Sequence, residues 1–299
     1  MSNSILFSFP GQLSLAEQLS KQLNVEMGIV DIHKFPDGET SVRIQSDVRN
    51  KTAMIVSALN HPNEKILPLM FMAQTLKELG ASKIILIAPY LPYMRQDKRF
   101  QSGEAITAVL FAKFMSTWID GLITIDPHLH RIKHLADIYA VNPVTVLHAT
   151  SAISEWIKSH VTDALLIGPD AESRQWVEDI AHRANADYII CNKIRMGDEQ
   201  VNVTLPEIKN TGKTPVLVDD IISSGASMME TLRQLLSRGF KHPICIGVHA
   251  LFDAEVEKKL LTMGARQIIT CNTIPHHTNK IDLTDLIADS MRVSVGNLI

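Results

Sequence analysis

Short runs of consecutive apolar residues recur along the 299-residue chain, separated by stretches in which apolar positions follow a helical period. The runs at 84–87, 165–167 and 216–218 lack the strict alternation of a sheet with one wet face, which is typical of strands covered by helices on both faces. The repeated order of strand and helix predicts an α/β fold with mainly parallel sheets. The amphipathic patterns predict helices over 64–79, 106–115, 174–184 and 227–238.

Two such series of strands and helices predict two domains, 1–145 and 146–299. The first series ends near 141–143, and the second begins with a helical pattern over 149–160. The length and the 45% hydrophobic content are sufficient for two domains, each with its own core. No low-complexity linker marks the boundary. The two halves share an order of strand, polar loop and helix without a residue-by-residue repeat, which leaves a duplication open.

Charge and cysteine content exclude several classes of function. The formal net charge of −3 provides no global positive field for nucleic acid or for an anionic membrane, so neither is expected as a partner. The first residues lack the basic region and apolar core of a signal peptide, and no apolar run approaches a membrane span, so we expect a cytoplasmic protein. Cys191, Cys245 and Cys271 form no CxxC pair and are expected to be small apolar residues.

The strongest local signal is the segment 216–227, in which an apolar strand meets two acids, a turn of small residues and a helix. Small residues let backbone N–H groups approach a phosphate, and a helix N-terminus adds unpaired donors and a positive dipole end. Asp219 and Asp220 would repel a phosphate directly, so we expect them to accept hydrogen bonds from sugar hydroxyls or to hold a cation. The alternative is an ordinary helix N-cap at Ser223 or Ser224. The segment favours a site for a phosphorylated ribose.

This segment resembles the loop that binds phosphoribosyl diphosphate (PRPP) in type I phosphoribosyltransferases and PRPP synthetases. Serine at position 223 stands where many synthetases carry an acid, and it is similar to the variant seen in archaeal-type synthetases. The residues that the resemblance assigns to ribose 5-phosphate are Asp219, Asp220, Ser223, Ser224, Gly225, Ala226 and Ser227.

Further segments distinguish a synthetase from a transferase. They lie at 35–39, 89–97, 126–128 and 168–170, and together they resemble the PRPP synthetase pattern in order and spacing. The match extends from about residue 35 to residue 275, nearly the whole chain. The family implies two type I phosphoribosyltransferase-like domains, each a mainly parallel sheet flanked by helices, with the first on the ATP side and the second on the ribose 5-phosphate side.

The residues that the resemblance assigns to ATP are Phe35, Asp37, Glu39, Arg95, Gln96 and His128. Phe35, Asp37 and Glu39 lie in the segment Phe-Pro-Asp-Gly-Glu, whose Pro-Asp-Gly residues by themselves predict a turn. By resemblance they would complete the ATP site of a neighbouring subunit, which implies a homo-oligomer. Arg95, Lys98 and Arg99 form a local cationic cluster, which suits a polyphosphate or an ordinary solvated face. The resemblance favours the polyphosphate for Arg95 and leaves Lys98 and Arg99 open.

Two residues are candidates for a metal site. His128 follows the apolar run 122–125 and Asp170 follows 164–167, at strand ends where open α/β sheets place ligands. By itself His128 could be a capped or core histidine, whereas the resemblance implies that it and Asp170 bind Mg²⁺. Many relatives have a glycine-rich turn after Asp170, where this chain departs from the pattern. Glu172 could ligate the metal, but we expect it to cap a helix that begins near Ser173.

Lys193 and Arg195 precede a polar stretch, 196–200, and resemble the two cations of the flexible catalytic loop of PRPP synthetases. Cations delivered by a closing loop can stabilise charge on transferring phosphate oxygens. The expected activity is therefore a Mg²⁺-dependent ribose-phosphate diphosphokinase that moves the β,γ-diphosphate of ATP to the C1 hydroxyl of ribose 5-phosphate, giving PRPP and AMP. A phosphoribosyltransferase and a non-catalytic, synthetase-associated regulatory protein are the alternatives. The changes at Ser223 and after Asp170 keep the second of these open.

Overall fold

The computed structural model describes residues 3–195, 201–206 and 212–296. The chain divides into two compact units, Met1–Leu147 with Thr284–Ile299, and His148–Leu283. The predicted domains, 1–145 and 146–299, are contiguous in sequence, whereas the first unit is not, because the last helix returns to it. The position of the domain boundary stays a prediction.

The elements predicted from apolar periodicity are present, and α2, α3, α5 and α6 begin and end within two residues of the predicted helices. The helices are α1 Leu13–Leu23, α2 Pro62–Glu78, α3 Thr107–Met115, α4 Thr150–His160, α5 Arg174–Ala184, α6 Ala226–Ser237, α7 Ala254–Met263 and α8 Thr284–Gly296. The strands are β1 Ser4–Ser8, β2 Glu26–Met27, β3 Val30–Lys34, β4 Thr40–Ile44, β5 Thr52–Val56, β6 Lys83–Ala88, β7 Gly121–Ile125, β8 Val144–Leu147, β9 Ala164–Gly168, β10 Asp187–Ile190, β11 Asn192–Arg195, β12 Val201–Thr204, β13 Thr214–Ile222, β14 Ile244–Ala250, β15 Gln267–Cys271 and β16 Asn279–Ile281. Within the described ranges, none of the helices is both long enough and apolar enough to cross a membrane.

The first unit is built on a parallel sheet in the order β2-β1-β5-β6-β7-β8. Every residue of β5 and β7 is buried, as expected for strands with helices on both faces. The hairpin of β3 and β4 is a separate antiparallel ribbon, with Ile32 opposite Val42. These two residues are half-buried against the core of the unit. Within this unit α8 is joined to α1, because Gln22 Nε2 donates to Asp285 Oδ1 at 2.7 Å.

The second unit repeats this plan with a parallel sheet in the order β10-β9-β13-β14-β15-β16. From β9 the chain proceeds to β10 on one side, and the later strands β13 to β16 extend on the other. The strand order therefore reverses between β9 and β13, and ligands of open α/β sheets bind beyond the carboxyl ends of the strands at such a point. A separate antiparallel hairpin, β11 with β12, directly follows β10.

The three cysteines are buried, as the sequence predicts for small apolar residues. Burial raises the pKa of the Cys245 thiol to about 12. The thiols of Cys191 and Cys245 therefore stay protonated at neutral pH, and they serve as packing groups.

Candidate active site

The predicted phosphate and ribose loop lies at the carboxyl end of β13, beside the reversal of strand order. β9 pairs with β13 only over Thr214 to Leu217, so Asp219 and Asp220 lie beyond the last paired residue of that neighbour. They are half-buried, and the backbone N–H of Asp220 donates to Asp219 Oδ1 at 3.0 Å.

Gly225 forms the junction between this loop and α6. Its backbone is left-handed, with φ of 72°, and it is the N-cap residue of α6. No described side chain caps this helix, which corrects the alternative of an N-cap at Ser223 or Ser224. A Cβ at position 225 would lie 2.8 Å from Val256 Cγ1. The junction thus requires glycine, and among the described residues no side chain accepts from the first N–H groups of α6.

Asp170 lies at the end of β9, on the other side of the reversal. Its Oδ1 accepts the backbone N–H of Ser173 at 3.1 Å, and Ser173 Oγ donates to the carbonyl of Asp170 at 2.7 Å. The cap of the short 3₁₀ turn that leads into α5 is therefore Asp170. The expectation that Glu172 caps the helix is wrong, because Glu172 lies inside that turn and is exposed.

Lys193 and Arg195 are on β11, which begins two residues after β10 ends. The backbone N–H of Cys191 donates to the carbonyl of Gly168 at 2.9 Å, which attaches the start of this hairpin to the end of β9. Residues two apart in a strand share a face, so positions 193 and 195 lie on the same face of β11. The polar stretch 196–200 that follows them lies outside the described residues. Three predicted site segments of the second unit thus leave its sheet at the carboxyl ends of three adjacent strands, β10, β9 and β13.

In the first unit, the segments with Arg95, Gln96 and His128 follow β6 and β7, which are adjacent parallel strands. Two non-glycine residues here have left-handed backbones, Tyr93 with φ of 65° and Asp126 with φ of 36°. Such conformations are costly and collect at functional sites. Arg95 is exposed, whereas Gln96 and His128 are half-buried. Predicted ligands of ATP therefore lie at one edge of this sheet.

The three residues of the cationic cluster, Arg95, Lys98 and Arg99, have different surroundings in the structure. Arg99 Nε donates to the carbonyl of Glu104 at 3.0 Å, and Lys98 Nζ lies 5.0 Å from the ring centre of Phe100. Lys98 and Arg99 thus contact the loop itself, and all three cationic residues are exposed. The Glu104 carboxylate accepts the backbone N–H groups of Gln101 and Phe100, and these bonds lower the pKa of Glu104.

The segment 35–39 is the turn of the β3–β4 hairpin, as predicted. The backbone N–H of Phe35 donates to the carbonyl of Glu39 at 2.8 Å, and the N–H of Glu39 donates to Asp37 Oδ1 at 3.1 Å. Phe35 is 43% exposed and packs edge-on against His33 at a centroid distance of 4.7 Å. An aromatic ring and two carboxylates are thus presented at the tip of a hairpin.

Sequence reasoning missed Asp97, which is buried and accepts hydrogen bonds from Arg131. The sequence did carry a signal for this pair, because Asp97 is the one acidic residue in the otherwise cationic and polar stretch 95–99. The sequence assigned no ligand role to His130, whose Nε2 lies 3.1 Å from His128 Nδ1. Apolar periodicity does not reveal contacts between residues 34 positions apart, such as Asp97 and Arg131, or contacts that depend on the conformation of a loop, such as His128 and His130.

The fold and the β13–α6 loop define the class of protein. The second unit has a parallel sheet, and at its reversal of strand order an acidic strand end, a turn of small residues and a helix start follow one another. This is the plan of the type I phosphoribosyltransferases. The first unit has the same strand arrangement. Residues 139–285 match the model of the phosphoribosyl transferase domain, and residues 4–118 match the N-terminal domain of ribose phosphate pyrophosphokinase.

Whole-chain comparisons narrow this class to one family. The chain is 32% identical to ribose-phosphate pyrophosphokinase of Sulfurisphaera tokodaii over 274 residues, which cover 90% of this chain and 93% of that protein. It is 32% identical to the enzyme of that name from Sulfolobus acidocaldarius, over 90% of this chain and 93% of that protein. The structure of phosphoribosylpyrophosphate synthetase from Mycobacterium smegmatis superposes with a TM-score of 0.86 at 26% identity, covering 99% of both chains. The chain belongs to the ribose-phosphate pyrophosphokinase family, the PRPP synthetases.

This membership confirms the expected fold class and the expectation of an enzyme of the ribose-phosphate pyrophosphokinase type. The assignment of Ser223 to an archaeal-type loop and the roles of individual site residues stay predictions.

Proposed function

We propose that this enzyme transfers the β,γ-diphosphate of ATP to the C1 hydroxyl of ribose 5-phosphate, using the residues that the sequence singled out. The observation that carries the proposal is the end of β13, where two acids, a left-handed Gly225 and a helix start without a side-chain cap lie together at the reversal of strand order. A pentose 5-phosphate offers hydroxyls to the acids and a phosphate to the helix start. The segments after β6 and β7 carry the predicted ligands of ATP, which a phosphoribosyltransferase would not need.

For ribose 5-phosphate, we assign sugar hydroxyls to Asp219 and Asp220. The phosphate falls to Ser223, Ser224 and the backbone of 225–227, where the helix dipole and unpaired N–H groups favour an anion. Gly225 is buried with Val256 close to it, which supports a well-defined backbone at the start of α6.

For ATP, we assign Arg95, Gln96 and His128 of one subunit. Phe35, with Asp37 and Glu39 beside it, would complete the site from a neighbouring subunit by stacking on adenine and accepting its amino hydrogens. The exposure of Phe35 at the tip of a hairpin supports a role at a subunit contact. The protein is thereby proposed to be a homo-oligomer in the cytoplasm, with no nucleic acid or membrane partner.

Mg²⁺ is the proposed cofactor, held by Asp170 and His128. Asp170 suits the ion, because Mg²⁺ prefers oxygen ligands and this carboxylate is fixed at a strand end by its bond to Ser173. The imidazole of His128 is a less usual ligand for this ion, and its place at a strand end beside the strained Asp126 supports the assignment. When bound, Mg²⁺ would neutralise charge on the diphosphate oxygens.

Catalysis then rests on position and charge. The C1 oxygen of the sugar attacks the β-phosphorus in line while AMP leaves, which needs no covalent nucleophile from the protein. Lys193 and Arg195, on one face of β11, are proposed to neutralise the charge that builds up on the transferring group.

The test is an assay of purified protein with ATP, Mg²⁺ and ribose 5-phosphate, with AMP and PRPP detected by chromatography. Equal amounts of both products are expected. A phosphoribosyltransferase would instead consume PRPP in the presence of a nucleobase, and a regulatory protein would form neither product. Either result would overturn the proposal.

A further inference from the structure

The two segments that carry the predicted ATP ligands of the first unit are joined by a buried carboxylate. One segment follows β6 and contains Arg95 and Gln96, and the other follows β7 and contains His128. Because β6 and β7 are adjacent and parallel, both segments leave the same edge of the sheet. Residues 89–106 form neither a helix nor a strand, so side-chain contacts add to the few backbone bonds that hold them, such as the one from Ala108 N–H to the carbonyl of Gln96 at 3.3 Å.

Asp97 provides the main contact between these segments. Its side chain is only 1% exposed, and its Oδ1 and Oδ2 lie 2.9 Å and 3.2 Å from Nη1 of Arg131. The backbone N–H of Arg131 also donates to Oδ2 at 3.3 Å. A buried carboxylate is tolerated when a cation and hydrogen bonds compensate its charge, and all three bonds here come from one residue. Arg131 itself is 44% exposed.

The contact continues into the loop beyond Asp97. The guanidinium of Arg131 lies 5.7 Å from the ring centre of Phe100, a second attachment to the same segment. The loop is then closed on itself, because Gln96 Nε2 donates to Glu104 Oε2 at 3.1 Å and the backbone N–H of Phe100 donates to the same oxygen at 2.8 Å. Arg131 thus contacts the loop at Asp97 and at Phe100. Gln96 is connected to both residues, because it precedes Asp97 in the chain and shares the Glu104 carboxylate with Phe100.

We propose that Asp97 and Arg131 are positioning residues, which hold the segment bearing Arg95 and Gln96 in register with the segment bearing His128. Asp97 directly follows Gln96, and Arg131 is three residues beyond His128, so a change in this pair moves the predicted ligands relative to each other. The inference rests on the proposed function, because it takes those three residues as ligands of ATP. It adds a role for two residues that touch no substrate in the proposed site.

The test compares Arg131→Ala, Arg131→Lys and Asp97→Asn with wild type. Arg131→Ala leaves the buried Asp97 carboxylate without its cation, so its stability is first checked by urea unfolding, whereas Asp97→Asn removes that charge and keeps the shape of the side chain, with the same direction of change expected in the KM for ATP. We expect the KM for ATP to rise on the order of tenfold in Arg131→Ala, the KM for ribose 5-phosphate to change less than about twofold, and Arg131→Lys to restore part of the loss. Lys77→Ala is the matched control, because Lys77 and Asp120 form a half-exposed ion pair in the same unit, away from both segments.

A second readout needs no substrate. Hydrogen exchange of the backbone amides of Phe100 and Gln101 should be faster in Arg131→Ala than in wild type or Lys77→Ala, because these amides are protected only while the loop is held. Unchanged exchange together with an unchanged KM for ATP in Arg131→Ala would overturn the inference. Failure of the wild type to bind α,β-methylene-ATP in calorimetry would instead overturn the proposed function, and faster exchange in the variant would still support the joining of the two segments.

Discussion

Replacing Gly225 by alanine perturbs the junction between β13 and α6 in two separate ways. The new residue must adopt φ of 72°, and its Cβ would lie 2.8 Å from Val256 Cγ1 and 3.1 Å from Met229 Cε. Met229 is flexible and can yield, whereas the β-branched Val256 has one preferred rotamer in a helix and cannot. The substitution therefore strains the backbone and overpacks the contact with α7.

The two costs can be estimated separately. A left-handed backbone costs an L-residue about 1–2 kcal/mol. Overpacking of a well-filled contact costs about 1–3 kcal/mol. The loss of unfolded-state entropy offsets about 0.4–1 kcal/mol of this. A net loss of about 1–5 kcal/mol in the free energy of unfolding follows from these terms.

Gly11→Ala is the matched control for the backbone cost. Gly11 has φ of 87°, is exposed, and has no atom within 4 Å of a built Cβ, so its variant carries the strain without the contact. The difference between the two variants, measured by urea unfolding, isolates the contact with Val256 and is expected to be about 1–3 kcal/mol. Adding Val256→Ala to Gly225→Ala should recover most of that difference.

Calorimetry with ribose 5-phosphate tests the functional half of the reasoning. Movement of the N–H groups at the start of α6 should weaken binding about tenfold in Gly225→Ala, the equivalent of about one hydrogen bond, and should leave Gly11→Ala unchanged. Wild-type affinity in Gly225→Ala, combined with wild-type stability, would refute both the strain at this residue and its part in the phosphate site.

The remaining predictions concern charge. Lys193→Ala should lower turnover by about 10²–10³ with the fold intact, because one charge contact preorganised for the transition state is lost. The control Lys213→Ala removes a cation that is paired with Asp187, and it should keep near-normal AMP release. Equal rates in the two variants would reject the catalytic role of Lys193. Asp219→Ala with Asp220→Ala should weaken ribose 5-phosphate binding in calorimetry, and unaltered affinity would contradict the assignment. Burial raises the pKa of the Cys245 thiol from 9.0 to about 12, so the unfolded thiol ionises first and its contribution to stability is lost as pH rises from about 9 toward 12. Urea unfolding should show a smaller decline over this range in Cys245→Ala, and an identical decline would contradict the buried, protonated thiol.

Much of the fold could be predicted from the sequence because both sheets are covered by helices. Strands buried on both faces must be apolar throughout, and surface helices must be amphipathic, so α5 was predicted over its full length. The strand, turn and helix of segment 216–227 could be predicted for the same kind of reason, since an apolar run, small residues and an amphipathic pattern follow one another there.

The sequence determined the helices and strands and, by resemblance, the family, whereas the ligands of the loop after β13 stay a prediction. Only the tertiary structure decided which residues meet. Asp97 and Arg131 are 34 positions apart and pair because β6 and β7 are neighbours in the sheet. Asp170 rather than Glu172 caps the turn before α5 because of the extended backbone at Asp170. Strand order and loop conformation arise from packing of the whole chain, and neither leaves a local period that could be read beforehand.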